Sequence, residues 1–328
     1  MISASNLLKD CCARGSSFPL NRDRESDLVT VVGTERFFCS DDARLRGDPI
    51  AGTASHGVAW VLIEYRGGWP LNGFEGLDLE PETKALLLSA VKAARARVLL
   101  VRRPGPRRRE GPSHWAVLHH EDSGEYRQQW GTWGKDEDLA EIARALSLPG
   151  TLGYPPVILV CTHSQHDQCC AVRGRPVGRV LSERWPELVW ECSHVGGDRF
   201  AANVVVAPDG VYYGNLDVES SVATIEEHLA GRIHAEHLRG YTDLFPAQQA
   251  AVGATLRRFG PAGRNDYKVV ETSRDGDHWR IHITGCPPHP AHIDVELHAH
   301  RGPPCRLTCR GPAMSSAMVY ELISIRAV

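Results

Sequence analysis

Apolar positions along the chain fall into short β-type runs separated by stretches of helical spacing. Gly57 to Tyr65 (GVAWVLIEY) is a nearly unbroken apolar run suited to a buried strand, and Gly67, Gly68 and Pro70 end it. From Pro81 to Arg97, Leu86, Leu87, Leu88, Val91 and Ala94 recur at helical spacing. Val98 to Val101 then reads as a second strand and His114 to His119 as a third. Asp136 to Leu146 carries Leu139, Ile142, Ala143 and Leu146 on one face, with Asp136 available as an N-cap. Strand, helix, strand, strand, helix predicts a small α/β sandwich.

A similar pattern follows at once. Pro156 to Val160 is a short buried strand ending at Cys161, Arg175 to Trp185 is helical with Pro176 near its first turn, and Leu188 to Cys192 is the next strand. Asn203 to Ala207 and Val211 to Gly214 flank Pro208-Asp209-Gly210 as a hairpin, and Val222 to Ile233 closes the unit as a helix. The order β-α-β-β-β-α approaches a thioredoxin-like arrangement, and the two α/β halves could be a degenerate duplication. A third segment starts near Leu238. Pro246 to Phe259 is helical, followed by strands at Tyr267–Thr272, Trp279–Thr284, Ile293–His298 and Val319–Ile325. The expected division is an N-terminal α/β domain over 1–150, a second α/β domain over 151–240, and a helix plus a β-rich extension over 241–328.

Charge narrows the function classes. With 37 Lys+Arg against 40 Asp+Glu, the chain has no global footprint for nucleic acid or anionic lipid. A local basic run, Arg102, Arg103, Arg107, Arg108 and Arg109 with Pro104 and Pro106, reads as a solvated loop. No window reaches the roughly 18 apolar residues of a membrane span, and residues 1–15 lack the apolar run of a secretory signal. The expected protein is soluble and cytoplasmic. Ten cysteines in such a chain point to metal binding or redox chemistry rather than a disulfide scaffold.

The densest chemistry lies in two stretches after successive strands: Cys161-Thr-His163-Ser-Gln-His166-Asp167-Gln-Cys169-Cys170, and Cys192-Ser-His194-Val-Gly196-Gly197-Asp198-Arg199. Neighbouring parallel strands deliver their following loops to one edge, so the two stretches can converge. Thiolate and imidazole hold iron and zinc, and Gly196 and Gly197 would let the backbone approach a cluster and donate N–H groups to its sulfurs. Cys161 alone would read as a small buried hydrophobe. Its company with Cys169, Cys170, Cys192 and His194 favours ligation. Cys169 and Cys170, being adjacent, are not expected to reach the same metal. His163 and His166 read as surface residues or as neighbours of the ligands, and Arg199 and Arg173 as charge-neutralising or salt-bridging groups. Cys286, His289, His292, His298, His300, Cys305 and Cys309 have superficially zinc-like spacing, but their prolines and intervening strands read as exposed loops. Cys11, Cys12 and Cys39 have no partners visible in the sequence.

The stretches CTHSQHDQCCAVRGRPV and WECSHVGGDRFAANVVVAPDGVYYGNL resemble the sucrase/ferredoxin-like family. The resemblance implies a thioredoxin-like ferredoxin domain with a 2Fe-2S cluster held by a Cys pair and an H-x3-H pair. It places the Cys pair on Cys161 and Cys170 and the first His on His194; the second His position carries Asp198. The fourth ligand is then Asp198 or one of Cys169, Cys192 and Cys309. Sucrose cleavage finds no support, because no paired-carboxylate site stands out. The implied function is one-electron transfer to or from a redox partner protein, proton-coupled through His194. The alternatives are a thiol-disulfide or peroxide-handling enzyme, which lacks the C-x-x-C expected of it, and a structural zinc-binding interaction module.

Overall fold

The computed structural model describes residues 36–105, 110–120 and 126–328. Cys11 and Cys12, the N-terminal stretch and Arg107–Arg109 lie outside them. Helix α1 (Cys39–Arg46) comes first. The apolar run at 57–65 forms β1 (Ala59–Glu64), buried at every position, as expected of a strand covered on both faces. Helix α2 (Pro81–Ala93) starts with proline at its first turn, where a missing N–H costs nothing, and the Glu80 carboxylate accepts the N–H groups of Glu82 and Thr83. Then come β2 (Ala96–Arg102), β3 (Ser113–His120), β4 (Tyr126–Trp133) and α3 (Ala140–Ala145), the last entered through a 3-10 turn at Asp136–Leu139. Asp136 is not the cap of its own helix: it lies inside the 3-10 turn, where the Asp138 carboxylate accepts the Gly134 and Lys135 N–H groups, and its own carboxylate accepts the Glu80 N–H at 2.8 Å.

The second half repeats the order with β5 (Val157–Cys161), α4 (Gln168–Arg184), β6 (Val189–Cys192), β7 (Val204–Ala207), β8 (Val211–Tyr213) and α5 (Val218–Leu229), then adds β9 (Leu238–Tyr241). All nine strands form one sheet in the order β4-β3-β1-β2-β6-β5-β7-β8-β9. In each half the first two strands are parallel and the third pairs antiparallel with the first. The halves therefore share a β-α-β-β-β-α topology. Their equivalent edge strands meet antiparallel at Val101↔Cys192 and Arg102↔Glu191. The segments before and after residue 150 are thus joined through backbone hydrogen bonds, and Phe37–Val328 is one compact unit. Arg102 and Arg103, expected in a solvated loop, lock this seam instead. Arg102 pairs with Glu191 at 2.7 Å, and Arg103 lies 3.8 Å from the Trp190 ring centre while donating to three carbonyls after α4.

Three of the four apolar clusters among the described residues organise these layers. One sits under α2 and α3. Another crosses the seam, combining Trp60, Leu62 and Leu99 with Leu159, Trp190 and Tyr212. The third joins the second half to the C-terminal part. There, helix α6 (Pro246–Phe259) carries Ala250, Ala251, Val252 and Leu256 against a four-stranded antiparallel sheet, β10 (Tyr267–Asp275), β11 (His278–Gly285), β12 (His292–Arg301) and β13 (Met318–Ala327). On β12, Ile293, Val295, Leu297 and Ala299 are buried and alternate with more exposed residues, the period-2 pattern of a strand covered on one face. The long connection 302–317 between β12 and β13 returns to α1 and the start of α4.

Candidate metal centre

The site forms where β5 and β6 end. Cys161 and Cys192 lie in register as the last residues of these parallel strands, so the segments that follow emerge at one edge. After β5 the chain turns through Thr162–Asp167 into α4. The helix begins at Gln168, seven residues earlier than Pro176 and the apolar spacing predict, because the Asp167 side chain caps it by accepting the Cys169 N–H at 2.8 Å. Cys169 and Cys170 therefore lie in its first turn, and Pro176 is inside the helix. A side chain at Gly174 would overlap the Cys161 carbonyl, so this glycine lets the helix approach the end of β5 and bring Cys170 to Cys161. After β6, Ser193 is tied to β2: its N–H donates to the Leu100 carbonyl at 2.7 Å and its hydroxyl accepts the Leu100 N–H at 3.0 Å. His194, the Gly196–Gly197 turn and Asp198 follow.

The donor atoms of Cys161, Cys170 and His194 all lie within 4.8 Å of one another. Cys170 Sγ is 3.9 Å from His194 Nδ1 and donates to Asp198 Oδ1 at 3.3 Å, and His194 Nδ1 lies 3.1 Å from the same carboxylate oxygen. The His166 ring stacks on His194 with centroids 3.7 Å apart, and its Nε2 is 3.8 Å from Asp198 Oδ2. The His194 N–H donates to His163 Nδ1 at 3.3 Å. Cys161 and Cys170 are sealed from solvent, at 1% and 0% exposure. His166 and His194 are partly exposed, and together with the buried His163 they line a cleft of about 400 Å³ with Leu71, Asn72 and Phe74.

Charges in the cluster support one another. The hydrogen bond from Cys170 lowers the Cys161 thiol well below its usual range against the cost of burial, and His194 adds to the effect. The same bond, together with burial, pushes Cys170 up. Burial disfavours a charged His194, but Asp198 and Cys161 outweigh it and raise its pKa to about 9. Burial likewise opposes ionisation of Asp198, yet His194 holds its carboxyl below the ordinary value. Two sulfurs, one of them favoured as thiolate, with an imidazole and a carboxylate in contact form a donor set chemically suited to iron or zinc.

The remaining candidates lie elsewhere. Cys192 is fully buried among apolar residues, and desolvation raises its thiol pKa. Cys169 and Cys309 belong to a separate group with Cys39 and Asp167. Gly196 and Gly197 both have positive φ, and the space beside them is filled by protein: a Cβ would sit 2.6 Å from Ser55 Oγ at Gly196 and would overlap the Arg239 guanidinium at Gly197. Arg199 turns away to Asp48, with Nε 3.2 Å from Oδ2. Arg173 pairs with Asp41 of α1. Of the C-terminal Cys and His residues, Cys286 is exposed, and His298 and His300 lie near Glu321 on the four-stranded sheet. Sequence spacing missed Cys39 and Asp167 altogether, and gave His166 no particular weight.

The profile of the sucrase/ferredoxin-like family matches residues 50–240, more than half of the chain. Among solved structures, the chain is similar to a cysteine-to-serine variant of the thioredoxin-like 2Fe-2S ferredoxin from Aquifex aeolicus. The identity is 24% over 26% of this chain and 97% of that one, with a TM-score of 0.23. No curated protein matches the chain. Among the described residues, no helix is long and apolar enough to cross a membrane.

Proposed function

The chain belongs to the sucrase/ferredoxin-like family, and we propose that it is a one-electron carrier whose 2Fe-2S cluster is held by Cys161, Cys170, His194 and Asp198. The observation that carries this reading is the convergence of two sealed sulfurs with an imidazole and a carboxylate at one sheet edge. When bound, a 2Fe-2S cluster supplies one-electron chemistry, and imidazole in place of thiolate removes negative charge and raises its potential. Asp198 is the best-supported fourth ligand because it already touches both Cys170 and His194. Cys192 has no donor neighbour in the set, while Cys169 and Cys309 are engaged with Cys39.

The protein residues divide the work. Cys161 and Cys170 hold the buried side, where exclusion of water protects the thiolates. His194 faces Cys170 and Asp198 through Nδ1, which leaves Nε2 as the atom at which a proton is held or released. His163 fixes the His194 backbone, and His166 stacks on its ring. A redox partner protein would approach over the cleft that these imidazoles line, at a thioredoxin-like ferredoxin unit formed by the second half. A thiol-disulfide or peroxide enzyme is less well supported, since neither Cys161 nor Cys170 is accessible to a substrate.

The test is the visible and EPR spectrum of anaerobically purified protein before and after dithionite, with iron and sulfide quantified, for the wild type, His194→Ala and Asp198→Ala. A coloured protein with an S = 1/2 signal on reduction, altered in both variants, is the expected result. A colourless protein without iron after cluster reconstitution overturns the proposal. An Asp198→Ala spectrum identical to wild type removes Asp198 from the ligand set.

A further inference from the structure

A second group of soft donors lies on the other side of the α4 N-terminus. Cys39 comes from the start of α1, Cys169 from the first turn of α4, and Cys309 from the 302–317 connection, with Asp167 between them. Cys169 Sγ is 3.3 Å from Cys309 Sγ and 3.6 Å from Cys39 Sγ. Cys39 Sγ lies 3.8 Å from Asp167 Oδ2. These separations exceed a disulfide bond of about 2.05 Å. They approach the ligand–ligand spacing of about 3.8 Å that follows from tetrahedral geometry at a Zn–S distance of about 2.3 Å. Cys39 and Cys169 are fully buried, and the three thiols meet although the sequence separates them by more than a hundred residues.

The surroundings are built for the same purpose. The Cys309 N–H donates to Asp167 Oδ2 at 2.7 Å, and the Cys39 N–H points at Cys309 Sγ at 3.4 Å. Arg310 donates to the Gln165 carbonyl at 2.6 Å, and Gln168 Nε2 to the Phe37 carbonyl at 2.7 Å, which docks the C-terminal connection and the chain before α1 on the same turn. Three thiolates and a carboxylate carry far more negative charge than such a buried pocket tolerates unless a cation neutralises it.

We propose that Cys39, Cys169 and Cys309, with the Asp167 carboxylate as fourth donor, bind one tetrahedral divalent ion of the zinc class, separate from the Cys161–Cys170–His194 centre. Binding displaces the thiol protons to solvent and forms three metal–sulfur bonds and one metal–oxygen bond without any change of oxidation state. The ion would clip the chain before β1 and the connection before β13 to the helix turn that also carries Cys170. Because Cys169 and Cys170 are consecutive, the clip fixes the direction in which Cys170 faces the first centre.

The experiment is metal analysis of the full chain, loaded with Zn²⁺ under reducing conditions and desalted, with alkylation mapping of its cysteines. The variants are Cys309→Ser, Cys39→Ser and Cys161→Ser. The expected result is that Cys161→Ser, whose first centre is broken, holds one zinc tightly, with Cys39, Cys169 and Cys309 protected from alkylation until a chelator is added, and that wild type shows the same protection whether or not a second ion fills the first centre. Cys309→Ser and Cys39→Ser each hold one zinc fewer than wild type and lose the protection of their remaining two thiols. Should the serine variants fail to fold, Co²⁺ loading of wild type replaces them, and a thiolate-to-cobalt absorption band of three-sulfur intensity supports the site. Cys161→Ser that holds no zinc, Cys309→Ser with an unchanged zinc count and Cys39 and Cys169 still protected, or a Cys169–Cys309 disulfide in the reduced, metal-loaded protein overturns it. Zinc at this site in a protein that takes up no iron would uphold the inference while defeating the electron-carrier reading.

Discussion

Arg239 on β9 is a fully buried guanidinium, and the Gly196–Gly197 turn that carries His194 into Asp198 is shaped around it. Its Nη1 donates to the Gly196 carbonyl at 2.7 Å and to Asn203 Oδ1 at 2.9 Å, Nε donates to Thr53 Oγ1 at 3.1 Å, and Nη2 donates to the Thr53 carbonyl. Desolvation lowers its pKa only to about 10, so it stays charged at neutral pH. Gly197 has φ +77°, and a Cβ there would overlap the guanidinium. Gly197→Ala therefore carries about 1 kcal/mol for a left-handed non-glycine residue. Displacing the guanidinium adds about 2–4 kcal/mol, the loss of one or two bonds to a charged group. Arg239→Met strands four acceptors but relieves a buried charge, for a net cost of about 3–4 kcal/mol. In the double variant the overlap disappears, and Gly197→Ala adds only its backbone cost of about 1 kcal/mol. The two substitutions should thus couple by at least about 2 kcal/mol, where independent sites add to within about 0.5 kcal/mol. Urea unfolding of the four proteins at neutral pH, with m-values compared to exclude a change in the unfolded state, measures this. Additive costs would refute the claim that the guanidinium fills the space left by the missing Cβ.

Gly174→Ala should destabilise by about 1–3 kcal/mol through overpacking against the Cys161 carbonyl and should also impair metal uptake at Cys161 and Cys170. If the contact were loose, alanine would instead stabilise this helix by up to about 1 kcal/mol; chemical denaturation gives the sign. Burial of Asp243 opposes ionisation, but His120 and Arg264 outweigh it and hold its carboxyl below the ordinary range. A depressed carboxylate stabilises the fold above its unfolded pKa of about 3.9 and loses that contribution as pH falls toward its folded value. Asp243→Asn should therefore cost about 1–3 kcal/mol at pH 7, judging by the loss of charge-assisted bonds, with the gap from wild type narrowing below about pH 4. Urea midpoints at both pH values check this, and a constant gap would contradict it. Tyr213→Phe removes the buried contact between the Tyr213 hydroxyl and His228 Nδ1, 2.8 Å long, while His228 keeps Asp209 on Nε2 at 2.7 Å. A loss of about 1–3 kcal/mol in calorimetry is expected for leaving that ring nitrogen unpaired.

Elements whose period is written in their own residues were legible: β1, α2, the β7–β8 hairpin, α6 and all four strands of the second sheet lie where the apolar spacing puts them. Those that escaped have a local reason. β4 (YRQQWGTW) interrupts its strand-favouring aromatics with Arg127, Gln128, Gln129 and Gly131, which breaks the apolar alternation. β9 (LRGY) hides a strand behind an arginine and a glycine, and only the buried partners of Arg239 explain why that arginine can be there. Helix α1 (CSDDARLR) has almost no apolar face to read. The seam between the halves was equally invisible, because β2–β6 pairing joins segments about ninety residues apart and no spacing rule reports it.

The candidate centres follow the same division, and the start of α4 decides it. A reading with the helix starting at Arg175 keeps Cys169 among the alternative fourth ligands of the first centre, although adjacent thiols are not expected to reach one metal. Once Asp167 caps the helix at Gln168, consecutive side chains diverge by about 100° around the helix axis. Cys170 then faces Cys161 and Asp198, while Cys169 faces Cys39 and Cys309. One capping carboxylate thus converts an apparent surplus of thiols into two separate donor sets. Cys161, Cys170, His194 and Asp198 lie close together in the sequence, on stretches that the family resemblance already groups, and the structure brings them into contact. Cys39 and Cys309 reach Cys169 across 130 and 140 residues of sequence, so that donor set is a property of the tertiary structure that local spacing does not encode.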